Sequence, residues 1–190
     1  MRKPLQKLLS PYMLLAATLL LCPSYFAQAA STLPSADAVM SQARATAASE
    51  HKNILLDFGA SWCGNCHLFE HFLADPTIHP IMEKNFVMVT LITGERPNDT
   101  RHANTPGAQQ FENSIGGKHA GWPFIVILDA SGKPIVDSYR PDPKSGKDNI
   151  GYPDSPAEIN WFMHMLQLST PALTPQETAT IHTWLTAHGS

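Results

Sequence analysis

The sequence predicts an α/β fold in which a central mixed β-sheet is flanked by helices. An apolar run at residues 53–58 is followed by a helical segment and a β-branched run at 86–92, which is typical of two parallel strands joined by a helix. Two later runs, at 124–128 and 134–139, are separated by a short turn and predict an antiparallel hairpin. Helical patterns before the first strand and after the hairpin supply the flanking layers, including an extra helix at the C-terminus.

Capping residues and apolar periodicity define the elements of the first half. Ser35 and Asp37 are capping residues at the start of an alanine-rich segment, which predicts a first helix. The pair Asp75-Pro76 combines a cap with proline at the first helical position, so a separate helix is expected to begin there. In order, we expect a helix at 35–50, a strand at 53–58, helices at 66–73 and 75–84, and a strand at 86–92.

Turn residues and two capping boxes organise the second half. The segment 94–105 is polar and predicts an exposed loop, whereas 140–154 is rich in proline and glycine and predicts a long irregular loop. Ser155 and Thr174 each precede a proline and have a glutamate three residues later, which is the pattern of a capping box. The remaining predicted elements are a short helix at 106–114, the hairpin strands at 124–128 and 134–139, and helices at 156–168 and 175–188.

The N-terminus has the pattern of an export signal. Three basic residues stand among the first seven positions, an apolar run covers 13–21, and Ala27-Gln28-Ala29 is a small-x-small cleavage site. The apolar run is too short to span a bilayer comfortably. We therefore expect residues 1–29 to be a cleaved signal peptide and residues 30–190 to form one domain in the periplasm.

Removal of the signal peptide changes both the charge and the cysteine content. It takes away three of the 13 Lys and Arg residues and none of the 16 acids, which leaves a net charge of −6. A mildly acidic surface argues against nucleic acid or an anionic membrane as the main partner. Of the three cysteines, only Cys63 and Cys66 remain. A disulfide between such close residues would stabilise the fold little, so the pair indicates chemistry.

The two cysteines lie where the first strand is predicted to turn into a helix. This places Cys63 at the helix N-terminus, where unpaired N–H groups and the helix dipole favour a thiolate and lower the thiol pKa below its ordinary value of about 8.5. Cys66 follows one turn later, within reach of Cys63 and less exposed. Such a pair can exchange with a disulfide, because the outer thiolate attacks the substrate and the inner thiol resolves the mixed disulfide.

The segment around the cysteines resembles the active site of the thioredoxin family. Residues 55–66 contain the Trp-Cys-Gly-x-Cys core and an aspartate six residues before the first cysteine. Gly121-Trp122-Pro123-Phe124 resembles the cis-proline loop of that family. Glu70 and the run 72–76 resemble more closely the C-terminal thioredoxin-like domain of the bacterial membrane disulfide reductase. The resemblance covers about residues 52–139 and implies a thioredoxin-like fold.

The resemblance implies a role for four catalytic residues. Cys63 would be the nucleophile and Cys66 the resolving thiol. Asp57, in an apolar strand, would be buried with a raised pKa and would exchange a proton with Cys66, directly or through water. Pro123 would be cis and would face the dithiol.

The resemblance also implies residues around this centre, with some departures from the family. Trp62 and Trp122 would contact the substrate, and the backbone of Trp122 would pair with an extended substrate segment. Glu70 matches an acid that lies near the dithiol in the membrane-reductase domain. Thr90 stands where thioredoxin has a lysine facing the buried aspartate, Gly64-Asn65 replaces Gly-Pro, and Trp122 is bulkier than the usual residue before the proline. The redox potential and the substrate groove are therefore not transferable from the family.

The run Cys63-Gly64-Asn65-Cys66-His67 leaves other kinds of site open. It matches the attachment pattern of a c-type haem, although a small cytochrome would be mostly helical and this chain predicts a sheet. His67 and His71 share one helix face with the two thiols and could bind copper or zinc. A non-catalytic binding module built on the same fold is a further alternative.

The prediction that accounts for most of these features is a periplasmic thiol–disulfide oxidoreductase. It would exchange the Cys63/Cys66 dithiol with protein disulfides, and the resemblance to the membrane reductase favours the reducing direction. No cofactor or metal is expected for this reaction. The expected partners are protein disulfide substrates and a membrane thiol reductant upstream, and nucleic acid is not expected.

Overall fold

The structure, a computed structural model, describes residues 33–170 and 172–189. The predicted signal peptide at 1–29 lies outside these residues. Within them, no helix combines the length and the apolarity needed to cross a bilayer. The helices are α1 (Ala36–Glu50), α2 (Gly64–Ala74), α3 (His79–Asn85), α4 (Ala108–Ser114), α5 (Pro156–Ser169) and α6 (Pro175–His188). The strands are β1 (Asn53–Gly59), β2 (Phe86–Ile92), β3 (Phe124–Leu128), β4 (Pro134–Asp137), β5 (Tyr139–Asp142) and β6 (Gly146–Asn149).

Four of the strands form one mixed sheet with the order β2-β1-β3-β4. β1 runs parallel to β2 and antiparallel to β3, and β3 pairs antiparallel with β4. Every residue of β1 after Asn53 is buried, because this strand lies inside the sheet and both of its faces are covered. The predicted mixed sheet flanked by helices is confirmed.

Alternate residues of β1 face two different hydrophobic cores. Leu55 lies in a core with side chains of α2, α3, α5 and α6, in which the rings of Phe72 and Phe162 meet edge to face with centroids 5.8 Å apart. Leu56 lies on the opposite face, in a core with α1 and α4. Full burial of a side chain of this size contributes about 1.5–3 kcal/mol. The two cores therefore hold β1 firmly between helix layers, and Asp57 faces the α2 side.

The helix boundaries follow the predicted caps, with one correction. The Ser35 hydroxyl accepts a hydrogen bond from the Ala38 N–H at 3.2 Å, and both predicted capping boxes are confirmed at α5 and α6. The prediction of a helix directly after Asp75 is wrong, because α3 begins at His79. The Asp75 carboxylate accepts a hydrogen bond from the Thr77 N–H at 2.7 Å and forms a separate turn, which delays the helix.

A hairpin replaces the irregular loop predicted for residues 140–154, so that prediction is wrong. β5 and β6 pair antiparallel as a separate two-stranded sheet, and the predicted strand at 134–139 accordingly ends at Asp137. The carboxylate of Asp142 closes the hairpin turn by accepting hydrogen bonds from the N–H groups of Lys144 and Ser145, each at 2.8 Å. Short polar strands lack the apolar alternation by which strands are identified in a sequence.

Candidate active site

The two cysteines lie at the junction of β1 and α2. Cys63 and Cys66 are joined by a disulfide, with their Cα atoms 5.2 Å apart. Cys63 is the N-cap residue of α2, and its Sγ accepts a hydrogen bond from the Cys66 N–H at 3.1 Å. Both cysteines are buried in this oxidised state, with 6% and 4% of their surface exposed. The predicted position of Cys63 at the start of the helix is confirmed, and the positive end of the helix dipole lies at its sulfur.

A glycine at the end of β1 makes room for the second sulfur. A Cβ atom on Gly59 would lie 2.9 Å from the Sγ atom of Cys66, so a side chain there would displace the sulfur. Asp57 stands two residues earlier on the same strand and projects from the same face of the sheet. One face of β1 therefore carries the Asp57 carboxyl and also contacts the Cys66 sulfur.

Asp57 is a buried acid with a hydroxyl donor. Only 4% of its surface is exposed, and its Oδ1 accepts a hydrogen bond from the Thr90 hydroxyl at 2.9 Å. The pKa of Asp57 is raised to about 7, because burial raises it strongly, the hydrogen bond from Thr90 lowers it and the negative charge of Glu70 raises it. The carboxyl can therefore gain or lose a proton near neutral pH. Thr90 faces Asp57 across the β1–β2 register, as the resemblance implies.

Two tryptophans lie beside the disulfide, and one of them precedes a cis proline. The Trp122–Pro123 peptide bond is cis, as the resemblance implies. Trp122 packs against the small buried cluster that Ala60, Cys63 and Cys66 form, and its ring meets the Trp62 ring edge to face with centroids 5.7 Å apart. Trp62 remains 45% exposed. An exposed indole beside a buried disulfide provides an apolar surface that an approaching chain can contact.

The β5–β6 hairpin holds the proline loop, which the sequence did not reveal. The side-chain amide of Asn149 donates to the carbonyl of Gly121 at 2.7 Å and to the carbonyl of Pro123 at 3.1 Å. The Ser138 hydroxyl donates to Oδ1 of Asn149 at 2.6 Å and orients that amide. The carbonyls on both sides of Trp122 are therefore fixed, while no hydrogen bond among residues 33–170 and 172–189 engages the Trp122 backbone itself.

Residues 93–96, here called the strap, hold the turn that precedes Cys63. Ser61 donates to both carboxylate oxygens of Glu95, from its N–H to Oε1 at 2.6 Å and from its hydroxyl to Oε2 at 2.8 Å. The indole N–H of Trp62 donates to the carbonyl of Gly94 at 2.8 Å. These contacts join residues that are 32 to 34 positions apart. No local sequence pattern could therefore have identified Glu95 as part of the site.

His67 and Glu70 support the other side of the same turn. Nε2 of His67 lies 2.9 Å from the Ser61 carbonyl oxygen, and Nδ1 lies 3.1 Å from Oε2 of Glu70. Both ring nitrogens face acceptors and can donate together only when the imidazole is protonated. The Glu70 interaction accordingly raises the pKa of His67, with a further contribution from the Ser61 carbonyl. Glu70 itself is exposed on α2, and it acts on Asp57 through its charge.

Three of the side chains proposed for haem or metal binding, those of Cys63, Cys66 and His67, have covalent or polar partners in this structure, and the fourth, His71, lies near the Trp184 ring with centroids 6.2 Å apart. Both sulfurs are used by the disulfide, and both nitrogens of His67 face protein acceptors. Among the described residues, one group of three candidate ligands has its atoms within 4.8 Å of one another, namely Glu95, Asp99 and His102. Hydrogen bonds from Ser61, from loop N–H groups and from His102 already engage these carboxylates.

Comparison with known sequences identifies a family. A family model described as thioredoxin-like matches residues 36–130, which is half of the chain. Over 89 residues the chain is 29% identical to the thiol:disulfide interchange protein DsbD of Photorhabdus laumondii. That match covers 46% of this chain but only 14% of the relative, so the chain spans a small part of that relative's length.

Two solved structures illustrate the structural similarity. A disulphide isomerase from Xylella fastidiosa Temecula1 is 18% identical over 77% of this chain and 86% of its own, with a TM-score of 0.44. The oxidised C-terminal domain of DsbD from Neisseria meningitidis is 22% identical over 70% of this chain and 99% of its own, with a TM-score of 0.42. The chain belongs to the thioredoxin-like family, and its Cys63 and Cys66 form a disulfide at the start of α2.

Proposed function

We propose that the chain is a periplasmic reductase of protein disulfides, with Cys63 as the nucleophile and Cys66 as the resolving thiol. The observation that carries this assignment is the N-cap position of Cys63, whose Sγ accepts the Cys66 N–H. A thiolate at this atom would keep that bond in a stronger, charge-assisted form, and the helix dipole would favour the same charge. Both effects favour the thiolate form of Cys63 over the thiol and support its role as the attacking sulfur.

The exchange takes place in two balanced steps. The Cys63 thiolate attacks one sulfur of the substrate disulfide, forms a mixed disulfide and expels the other substrate sulfur as a thiolate. Cys66 then loses its proton and attacks the Cys63 sulfur, which forms the Cys63–Cys66 disulfide and expels the second substrate thiolate. Two electrons pass from the protein dithiol to the substrate, and the expelled thiolates take up protons.

Asp57 is the proposed acceptor of the Cys66 proton. Its carboxyl lies on the face of β1 that contacts the Cys66 sulfur, and its pKa of about 7 suits proton transfer at neutral pH. Glu70 raises the pKa of Asp57 through its charge and thereby makes Asp57 a better base. Glu70 is therefore assigned a supporting role rather than direct contact with the substrate.

The substrate is proposed to bind as an extended segment beside the cis proline. The backbone of Trp122 is available for β-type hydrogen bonds, because Asn149 holds only the neighbouring carbonyls. Pro123 would lie against the exchanging sulfurs, and the exposed ring of Trp62 would pack on the same segment. This arrangement accepts any accessible disulfide in an extended chain, so it favours protein substrates.

Location and direction rest on sequence features. The predicted signal peptide at 1–29 supports export to the periplasm. The likeness of Glu70 and the run 72–76 to the membrane-reductase domain supports the reducing direction, with a membrane thiol reductant as electron donor. The domain would then lie between that donor and the protein disulfides it reduces.

Trapping with cysteine variants tests the assigned roles. Cys66→Ser should accumulate mixed disulfides through Cys63, because no thiol remains to resolve them, and mass spectrometry would identify the trapped proteins. Cys63→Ser should trap nothing and should lose insulin disulfide reduction completely. The double serine variant is the background control. Equal trapping by the two single variants would contradict the assignment of the nucleophile.

The redox potential tests the direction separately. Equilibration of the wild-type protein with glutathione buffers should give a reducing potential, on the side of thioredoxin at about −270 mV rather than of the strong periplasmic oxidants at about −120 mV. A strongly oxidising value would refute the reductase assignment while leaving the exchange chemistry in place.

A further inference from the structure

We propose that Arg96 and Trp62 form a recognition site for an acidic residue of the substrate protein, next to the disulfide that is exchanged. This inference rests on the proposed function and specifies the substrate class of the same site. It assigns a purpose to the strap, which the motifs of the sequence leave unexplained.

The guanidinium of Arg96 lies over the exposed ring of Trp62. Its Cζ atom is 5.0 Å from the ring centroid, and Trp62 directly precedes Cys63 in the chain. A cation above an indole face is attracted by the ring quadrupole, which restricts the guanidinium without neutralising its charge. A full positive charge therefore lies over the side chain of the residue that directly precedes Cys63.

Hydrogen bonds within the loop fix the backbone on which Arg96 stands. The Arg96 carbonyl accepts a hydrogen bond from the Asp99 N–H at 2.9 Å. Glu95, the preceding residue, is held by its carboxylate on Ser61 and by its N–H, which donates to Oδ1 of Asn104 at 2.8 Å. Because the loop is braced on both sides of Arg96, less conformational entropy is lost when a ligand binds there.

The acids of the site and the loop are committed to partners other than Arg96. The pairs are Glu95 with Ser61, Glu70 with His67, and Asp99 with His102. In the part of the chain that the structure describes, no carboxylate lies within the 4.0 Å ion-pair distance of Arg96. Among these described residues, the Arg96 guanidinium therefore has no ion-pair partner.

A carboxylate from the substrate is complementary to this cation in both geometry and charge. Arginine presents a planar fork of N–H donors, and while the flat face rests on the indole, the edge of the fork stays free to bind a carboxylate. The chain without its signal peptide is expected to carry a net charge of −6, so it has no general attraction for acidic proteins. A preference for acidic substrates would therefore have to come from this one local cation.

Exchange with a matched pair of peptides tests the recognition site. Each peptide carries one disulfide, and the two differ only in Glu or Gln beside the reactive cysteine. At low ionic strength, the reduced wild-type protein should show a kcat/KM about threefold to fivefold higher for the Glu peptide, the size expected for an exposed charge pair. Concentrated salt should remove the difference. Arg96→Gln should bring the ratio of the two kcat/KM values to about one, whereas Arg96→Lys should keep part of the preference.

Arg101→Gln is the matched control, because Arg101 is exposed in the same loop but does not lie over the Trp62 ring. It should retain the wild-type ratio. Equal kcat/KM values for the two peptides in the wild type would overturn the recognition site, and so would a loss of preference in Arg101→Gln equal to that in Arg96→Gln. In either case, exchange with the Gln peptide would still support the proposed function. Failure of the wild type to exchange with either peptide would refute the proposed function, and this inference with it.

Discussion

The buried carboxyl of Asp57 should make the stability of the oxidised protein depend on pH. Its pKa is about 7 in the fold against an ordinary value of 3.8, mainly because burial disfavours the charged form. Between these two values the native state holds a proton that the unfolded chain releases, so the protein loses stability as the pH rises. A difference of this size corresponds to a loss of about 4 kcal/mol once the pH exceeds the native pKa.

Asp57→Asn isolates this contribution, because asparagine has nearly the same shape and does not titrate. The free energy of unfolding would be measured in urea at several pH values for the oxidised wild type and variant. The free energy of unfolding of the variant minus that of the wild type should increase by about 3 kcal/mol from pH 5 to pH 8. Other titrating groups occur in both proteins and cancel in the difference, including Glu112, whose pKa burial also raises.

A surface carboxylate provides the control for Asp57. Asp37 is exposed in the first turn of α1, and Asp37→Asn should give a difference from the wild type that stays within about 0.5 kcal/mol over the same pH range. Parallel pH profiles for the wild type and Asp57→Asn would refute the reasoning. They would show that the Asp57 carboxyl is either solvated or paired strongly enough to stay ionised in the fold.

Two further substitutions test the supports of the site and of the fold. Glu95→Gln should lower the free energy of unfolding, measured by urea titration, by about 1–2 kcal/mol, because Ser61 loses two charge-assisted hydrogen bonds. The exposed control Glu83→Gln should show almost no change. Equal effects of the two substitutions would contradict the role of the strap. Ser155→Ala should cost about 1 kcal/mol through loss of the cap of α5. In thermal melts followed by circular dichroism, Ser155→Asp should stay close to the wild type, and an alanine variant as stable as the aspartate variant would contradict this account.

The motif around the disulfide was predictable because its parts are close in the chain. The buried strand, the turn and the helix start within residues 53–66, so periodicity and capping patterns place Cys63 at the helix N-terminus without knowledge of the rest. The burial of Asp57 follows from its apolar neighbours on both sides. The same reasoning failed at Asp75 and at residues 140–154, where side-chain hydrogen bonds to the backbone and short polar strands decided the local structure.

The amino-acid sequence alone determined the dithiol, the buried acid beneath it and the mixed sheet that carries both, because apolar periodicity and local caps specify these features. Only the tertiary structure decided what holds and surrounds the dithiol. Glu95 reaches the turn from a loop 34 positions away, Asn149 fixes the proline loop from a hairpin 26 to 28 positions away, and Arg96 comes to lie over Trp62. Such contacts join polar residues that are far apart in the chain, and neither residue of a pair carries a pattern that identifies its partner.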